Sequence, residues 1–231
     1  MASTDDGTRW ATVGRMALDL GEPMGMRTAA ELSSARIALG EQRAAGQAWE
    51  LTMAEALAAA AEAARRATGF ACAERHLVVG AALSGVMLSY WPMTELSPLF
   101  TFCRRSSGAA VHVVAADEHL AARSFHQTKS IFALLGVTSS LAPPEAAPLD
   151  EHQLAFDAEV IYGSYLQMAY HYLGNHLAQD RRELVRWAPR LALVDQVDAV
   201  LIDHAADPLV IRAPMQPDAE RLGKLADRGG A

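Results

Sequence analysis

Two carboxylates and an amide stand together at Asp195-Gln196-Val197-Asp198, directly after the apolar run Leu191-Ala-Leu-Val194. A second apolar run, Ala199-Val-Leu-Ile202, follows, and Asp203-His204 and Asp207-Pro208 come before Leu209-Val-Ile211. A short continuous apolar run suits a strand buried on both faces of a parallel sheet. Carboxylates at the carboxyl end of such a strand lie where open α/β sheets place their ligands. An Asp in that place can hold Mg²⁺, and a Glu after it can take a proton from water. Here the second position is Gln196, whose amide donates and accepts hydrogen bonds but takes no proton.

Asp195 and Asp198 are the first candidates for acid–base work, as carboxylates whose pKa burial would raise. The competing reading has them cap the following helix and accept bonds from loop amides. His171, in Met168-Ala-Tyr170-His171-Tyr172, is expected on a helix facing the sheet, whereas His112 lies mid-strand and reads as a core histidine. Tyr90, Trp91, Tyr162, Tyr165, Tyr170 and Tyr172 form an aromatic set that either belongs to the core or lines an apolar pocket. The candidate catalytic residues are therefore Asp195, His171, Asp198 and Tyr90, and the candidate substrate-binding residues are Trp91, Tyr162, Tyr170 and Gln196. No metal site is expected, because no helix carries His-x-x-x-His, no Cys-x-x-Cys is present, and His171 and His176 are too far out of phase to share a helical face. No Gly-x-Ser-x-Gly elbow and no dinucleotide glycine fingerprint occurs, so no cofactor is expected.

The 231 residues suffice for one sizeable domain with extensions, and 51% apolar with 20% charged residues is a globular profile. A net charge of −7 argues against nucleic acid as partner. Cys72 and Cys103 show neither metal nor disulfide spacing, the N-terminus lacks the basic-then-apolar order of a signal peptide, and no apolar run is long enough to span a bilayer. A cytoplasmic protein is the expectation, with a protein partner or an apolar small molecule as ligand, and self-association left open.

Those site residues need elements to hold them. Residues 1–28 read as an arm with room for a turn of helix, and 29–44 as a short helix before Gly46. Residues 52–68 are alanine-rich, with Arg65 and Arg66 late and Gly69 as stop, which predicts a strong helix. Ala110–Ala115 predicts a buried strand, 117–135 a helix stopped by Gly136, and Val137–Leu141 a second strand. Residues 142–148 predict a surface loop. Ala158–Gly163 predicts a third strand, Tyr165–Leu177 a helix and Arg190–Val194 a fourth strand. Alternating strands and helices give an α/β fold, an open and mostly parallel sheet with helices on both faces. The expected division is an N-terminal helical extension over 1–47, the α/β domain over 48–213 and a flexible tail over 214–231.

In order along the chain, five blocks resemble the first nucleotide-binding domain of the preprotein translocase motor SecA. They are Glu55 to Gly69 followed by Arg75-His76; Val111-His-Val-Val114 with Glu118-His-Leu-Ala121; Phe132-Ala-Leu-Leu-Gly136-Val-Thr138; Val160-Ile-Tyr-Gly-Ser164 with Tyr172-Leu-Gly-Asn175; and the 191–212 stretch, which resembles the family's Leu-Val-Asp-Glu-Val-Asp-Ser-Ile-Leu-Ile-Asp-Glu-Ala-Arg-Thr-Pro-Leu-Ile-Ile. The resemblance covers 48–212 and implies a P-loop-NTPase-like fold.

The chain departs from the pattern where the family does its chemistry. The family's P-loop, ending Thr-Gly-Glu-Gly-Lys-Thr, belongs between Gly85 and Phe100, where this chain reads Gly85-Val-Met-Leu-Ser-Tyr90-Trp91-Pro92-Met-Thr94-Glu-Leu-Ser-Pro. Without the glycines and the lysine there are neither close backbone N–H groups nor a cation for the phosphates, and Pro92 removes a further donor. Gln196 stands where the resemblance implies the catalytic Glu, His204 where it implies a second Glu, and Ala206 an Arg. The expectation is a SecA-like domain without ATP hydrolysis, acting as an accessory protein. The alternative is a cofactor-independent isomerase, cyclase or lyase using the vacated pocket.

Overall fold

The structure, a computed structural model, describes residues 4–46, 48–82, 101–102, 110–185 and 189–210. Five helices come first: α1 (Thr4–Asp19), α2 (Gly21–Gly25), α3 (Ala29–Ala44), α4 (Trp49–Thr68) and α5 (Glu74–Ala82). Strands and helices then alternate as β1 (Ala110–Ala115), α6 (Glu118–Leu134), β2 (Ser139–Leu141), α7 (Leu149–Phe156), β3 (Val160–Ser164), α8 (Tyr165–Leu177) and β4 (Pro189–Val194). The four strands are all parallel, in the order β2-β3-β1-β4.

The period of two along each strand divides the core. Val111, Val113, Val160, Tyr162 and Leu193 face Ile131 and Phe132 of α6 and the alanine-rich α4. Ile161 points the other way, against Phe156 of α7 and Met168 of α8. Helices therefore cover both faces, as expected. α4 is buried on nearly all sides, with Ala54, Ala59, Ala60 and Ala63 fully inaccessible. Small side chains let α1, α3 and α6 all approach it. Its one buried charge, Glu62, is 6% exposed and is held by Arg65 at 2.7 Å and Arg66 at 2.6 Å. The Arg65 bond, and then the Arg66 bond, keep the Glu62 carboxyl below its ordinary range. Arg66 also donates to the carbonyl of Arg27 at 2.6 Å and so ties the chain after α2 to α4.

Three expectations are corrected. Residues 4–19 and 21–25 are helical rather than an arm, and Val13, Ala17 and Met24 belong to the main core. Gly14 in mid-α1 permits this, since a Cβ there would lie 3.1 Å from the backbone nitrogen of Val78 in α5. Residues 149–156, where the sequence pattern predicts no element, form α7. β4 is an edge strand among the described residues, so Leu193 is buried while Ala192 is exposed, and the strand is not covered on both faces.

Candidate functional site at the carboxyl edge of the sheet

The helix after β1 packs on one face of the sheet and the helix after β3 on the other, although β1 and β3 are neighbours. The strand order therefore has its switch point between β1 and β3, the place at whose carboxyl edge open α/β sheets bind ligands. Ala115 of β1 is in register with Ser164 of β3, and on β1's other side the Asp195 N–H donates to the Val114 carbonyl at 2.8 Å. Ser164 and Asp195 thus flank the end of β1.

Ser164 caps α8. Its hydroxyl accepts from the Gln167 N–H at 3.2 Å while the Gln167 side chain accepts from the Ser164 N–H at 2.9 Å, a capping box. The Ser-x-x-Gln spacing that encodes it is readable in the sequence, but nothing in that spacing ties Ser164 to the site. Asp195 is half-buried, and burial pushes its carboxyl up from the usual range, opposed by a bond accepted from the Gln196 N–H at 3.0 Å. Gln196 is exposed and turns the chain sharply, with φ of 54°. That left-handed conformation costs a residue with a Cβ about 1 kcal/mol. Asp198 is exposed and makes no capping bond to the π-type turn Ala199–Asp203.

Beyond this turn the chain returns over α8. The rings of Tyr165 and His204 stack at 5.3 Å, His204 Nδ1 lies 2.7 Å from Asp207 Oδ2, and the Tyr165 hydroxyl lies 3.4 Å from the same oxygen. Burial, and then the Asp207 charge, raise the Tyr165 phenol above its ordinary value. The sequence signal for this cluster is His204 and Asp207, three residues apart. The Tyr170 hydroxyl lies 3.4 Å from the Val210 carbonyl and can donate to it. Leu201, Ile202, Leu209 and Val210 on the same stretch are 59%, 70%, 39% and 55% exposed.

The other candidates lie elsewhere. Tyr162 is 1% exposed in the core, where its hydroxyl and that of Thr128 are 2.8 Å apart, so it lines no crevice. His171 is grouped with Phe156 at 4.3 Å and His152 at 4.5 Å between ring centres, rather than with Asp195. His112 faces the same cluster, 6.0 Å from Phe156. No three of the described His, Cys, Asp and Glu residues are placed to hold a metal ion. Tyr90 and Trp91 fall outside the described residues.

A half-buried carboxylate that holds its proton more tightly than usual destabilises the fold when it ionises. Its folded pKa lies above its unfolded one, so the penalty appears as pH rises through the ordinary Asp range and is complete above the folded value. Asp195→Asn should therefore raise the melting temperature at pH 7, with the gain fading near pH 3.5. Melting curves at the two pH values test this.

The model of the SecA DEAD-like domain matches residues 8–228. "Protein translocase subunit SecA" of Kineococcus radiotolerans is 30% identical over 200 residues, 85% of this chain and 22% of that protein. "Protein translocase subunit SecA 2" of Geobacillus thermodenitrificans is 30% identical over 197 residues, 84% of this chain and 25% of that protein. The protein of the same description from Bacillus cereus is 32% identical over 161 residues, 68% of this chain and 20% of that protein. The chain thus spans a quarter or less of the length of these curated relatives. No helix among the described residues is long and apolar enough to cross a membrane. With a family model covering nearly its whole length, the chain belongs to the SecA DEAD-like domain family.

Proposed function

We propose that this domain does not hydrolyse ATP and serves as a cytoplasmic accessory protein that engages another protein. The observation that carries the reading is Gln196 beside Asp195 at the carboxyl end of β4, an amide where hydrolysis needs a carboxylate to take a proton from water. The missing Gly-x-Gly-Lys between Gly85 and Phe100 supports it from the sequence. For a protein partner, the support is the run of exposed apolar side chains from Leu201 to Val210. Four large apolar groups within ten residues suit a surface that another molecule covers. The relatives named as translocase subunits agree with work alongside other proteins.

The test is phosphate release from ATP with Mg²⁺. The wild-type chain should stay at background, and so should Gln196→Glu, because restoring the base does not restore a phosphate cradle. Turnover by the wild-type chain would sink the proposal.

A second reading is favoured by the raised Asp195 carboxyl. A carboxyl that holds its proton more tightly than usual, at the carboxyl edge of the sheet, suits acid–base chemistry on an apolar small molecule, as in an isomerase, cyclase or lyase. On that reading Asp195→Asn abolishes the reaction, and full activity in the variant would remove Asp195 as catalyst.

A further inference from the structure

Among the described residues β2 forms one edge of the sheet, and its parallel pairing with β3 decides which backbone groups remain unused. The Val160 N–H donates to the Thr138 carbonyl at 3.0 Å and the Ala142 N–H to the Tyr162 carbonyl at 2.7 Å. Residues of one strand alternate in direction, so Ser140 shares the inward sense of Thr138 and Ala142, whereas Ser139 and Leu141 turn their N–H and C=O groups outward. Among the described residues nothing bonds to those outward groups. An edge of this kind is a template for another strand, and proteins ordinarily blunt it with lysine, proline or a covering element. β2 is three residues long and Pro143 takes the next outward position after Leu141, so the outward row that remains for pairing is short and consists of Ser139 and Leu141.

The edge is also preformed. The Ser140 hydroxyl donates to the Ala155 carbonyl at 2.6 Å and locks β2 to α7. At the start of the strand, the Thr138 N–H donates to the Glu159 carboxylate at 2.9 Å and the Glu159 N–H donates to the Thr138 hydroxyl at 3.0 Å. Alongside β2 runs an open groove of about 640 Å³, walled by Phe125 of α6 and by Leu154 of α7, which is 78% exposed. The lining includes Glu151 and Asp157 and, among the described residues, no lysine or arginine.

We infer that the β2 edge and its groove bind an extended polypeptide segment that adds as a fifth strand and carries a lysine or arginine among apolar residues. The backbone ladder supplies affinity in such strand addition and the pockets beside it select side chains. Apolar residues of the segment meet Leu141, Phe125 and Leu154, and its cation meets the acidic wall at Glu151. A carboxylate in place of that cation would face like charge. The inference rests on the partner-binding reading and names the class of partner. The edge lies at the opposite side of the sheet from β4, so nucleotide behaviour and peptide binding can be tested separately.

The experiment is a fluorescence anisotropy titration of the full chain, without nucleotide, against a short labelled peptide alternating lysine and valine and a second alternating glutamate and valine. The lysine peptide should bind saturably and the glutamate peptide about tenfold more weakly. Ser139→Pro removes an outward donor without touching the bonds to β3, and should abolish binding while its far-UV spectrum and melting stay as in wild type. Glu151→Lys should reverse the preference between the peptides, which decides the matter should Ser139→Pro fail to fold. Equal binding of both peptides overturns the inference, as does absence of saturable binding or unchanged affinity in a folded Ser139→Pro. Dimerisation of the chain that Ser139→Pro dissociates overturns it too, since the edge would then belong to a second copy. None of these outcomes bears on the proposed lack of ATP turnover.

Discussion

His112→Leu should remove most of the acid sensitivity of this fold between pH 7 and pH 5. His112 points from the middle of β1 into the layer beneath α7 and α8, and is 2% exposed. Burial pulls its pKa down to about 4. His171 is pulled down to about 4 as well, by burial first and then by His152 and His112. Phe156 stands between the imidazoles, and His152 Nδ1 finds no partner although the residue is 7% exposed. The imidazoles of His112 and His171 stabilise the fold only while they stay neutral. The unfolded chain binds protons with a pKa of about 6.5 per histidine and the folded chain does so only near 4, so the stability is complete above the first value and is lost as pH falls towards the second.

For His112 the full loss is about 3 kcal/mol, and about 2 kcal/mol of it falls above pH 5. His171 is half-buried, so water screens its share and it adds less. Carboxylates held by partners, Glu62 above all, lose their stabilisation only below the ordinary range of a glutamate, which separates the two effects. Urea unfolding at pH 7, 6 and 5 measures this. The wild-type midpoint should fall across the series and that of His112→Leu should stay nearly level. Parallel falls in both proteins would show that the buried imidazole is not the cause.

Gly136→Val should cost about 4 kcal/mol, and Gly136→Ala about 2 kcal/mol. Gly136 follows α6 in the left-handed region, with φ of 64°. Its N–H donates to the Ala133 carbonyl at 3.2 Å and the Val137 N–H to the Phe132 carbonyl at 2.9 Å, the paired bonds of a Schellman ending. A Cβ there would meet both the conformational penalty and the Ser33 carbonyl oxygen of α3, 2.8 Å away. Gly69 ends α4 with φ of 75°, but a Cβ added there would have nothing within 4 Å, so Gly69→Ala should carry the conformational cost alone, about 1 kcal/mol. The difference between the two alanine variants, read by denaturant unfolding, isolates the contact between α3 and the end of α6. Equal losses would mean that α3 gives way at no cost.

The alternating half of the fold is legible because each element carries its own signal. Val111, Val113 and Val114 favour a strand, the alanines of α4 a helix, and Gly69 and Gly136 mark the stops that their positive φ confirms. α1 is not legible because Gly7 and Gly14 lower its intrinsic helix propensity. What holds it is tertiary, the close approach to α5 that Gly14 allows. α7 escapes notice because its eight residues bury only His152 and Phe156, too short a stripe to read as a period.

For the site, the carboxyl edge with Asp195 and Gln196 follows from the apolar run that precedes them. The grouping around it does not. His171 lies six residues into α8, about 9 Å along the axis from Tyr165, which takes it away from the edge and under α7. Tyr162 alternates with Ile161, and that period of two sends it to the α6 face. Tyr165, His204 and Asp207 come together only because the turn at Ala199–Asp203 folds the chain back over α8, and a single sequence does not reveal such a return.

A thermal-shift titration with ATP and Mg²⁺ tests the proposed loss of the phosphate cradle most directly. A ligand that binds the folded state alone raises its stability by RT ln(1 + [L]/Kd), so even millimolar binding registers at several millimolar nucleotide. The expected result is a melting temperature unmoved by ATP–Mg²⁺ at any concentration. A saturable rise that requires Mg²⁺ and disappears in Asp195→Ala would contradict it, and would make the carboxyl edge a working nucleotide site.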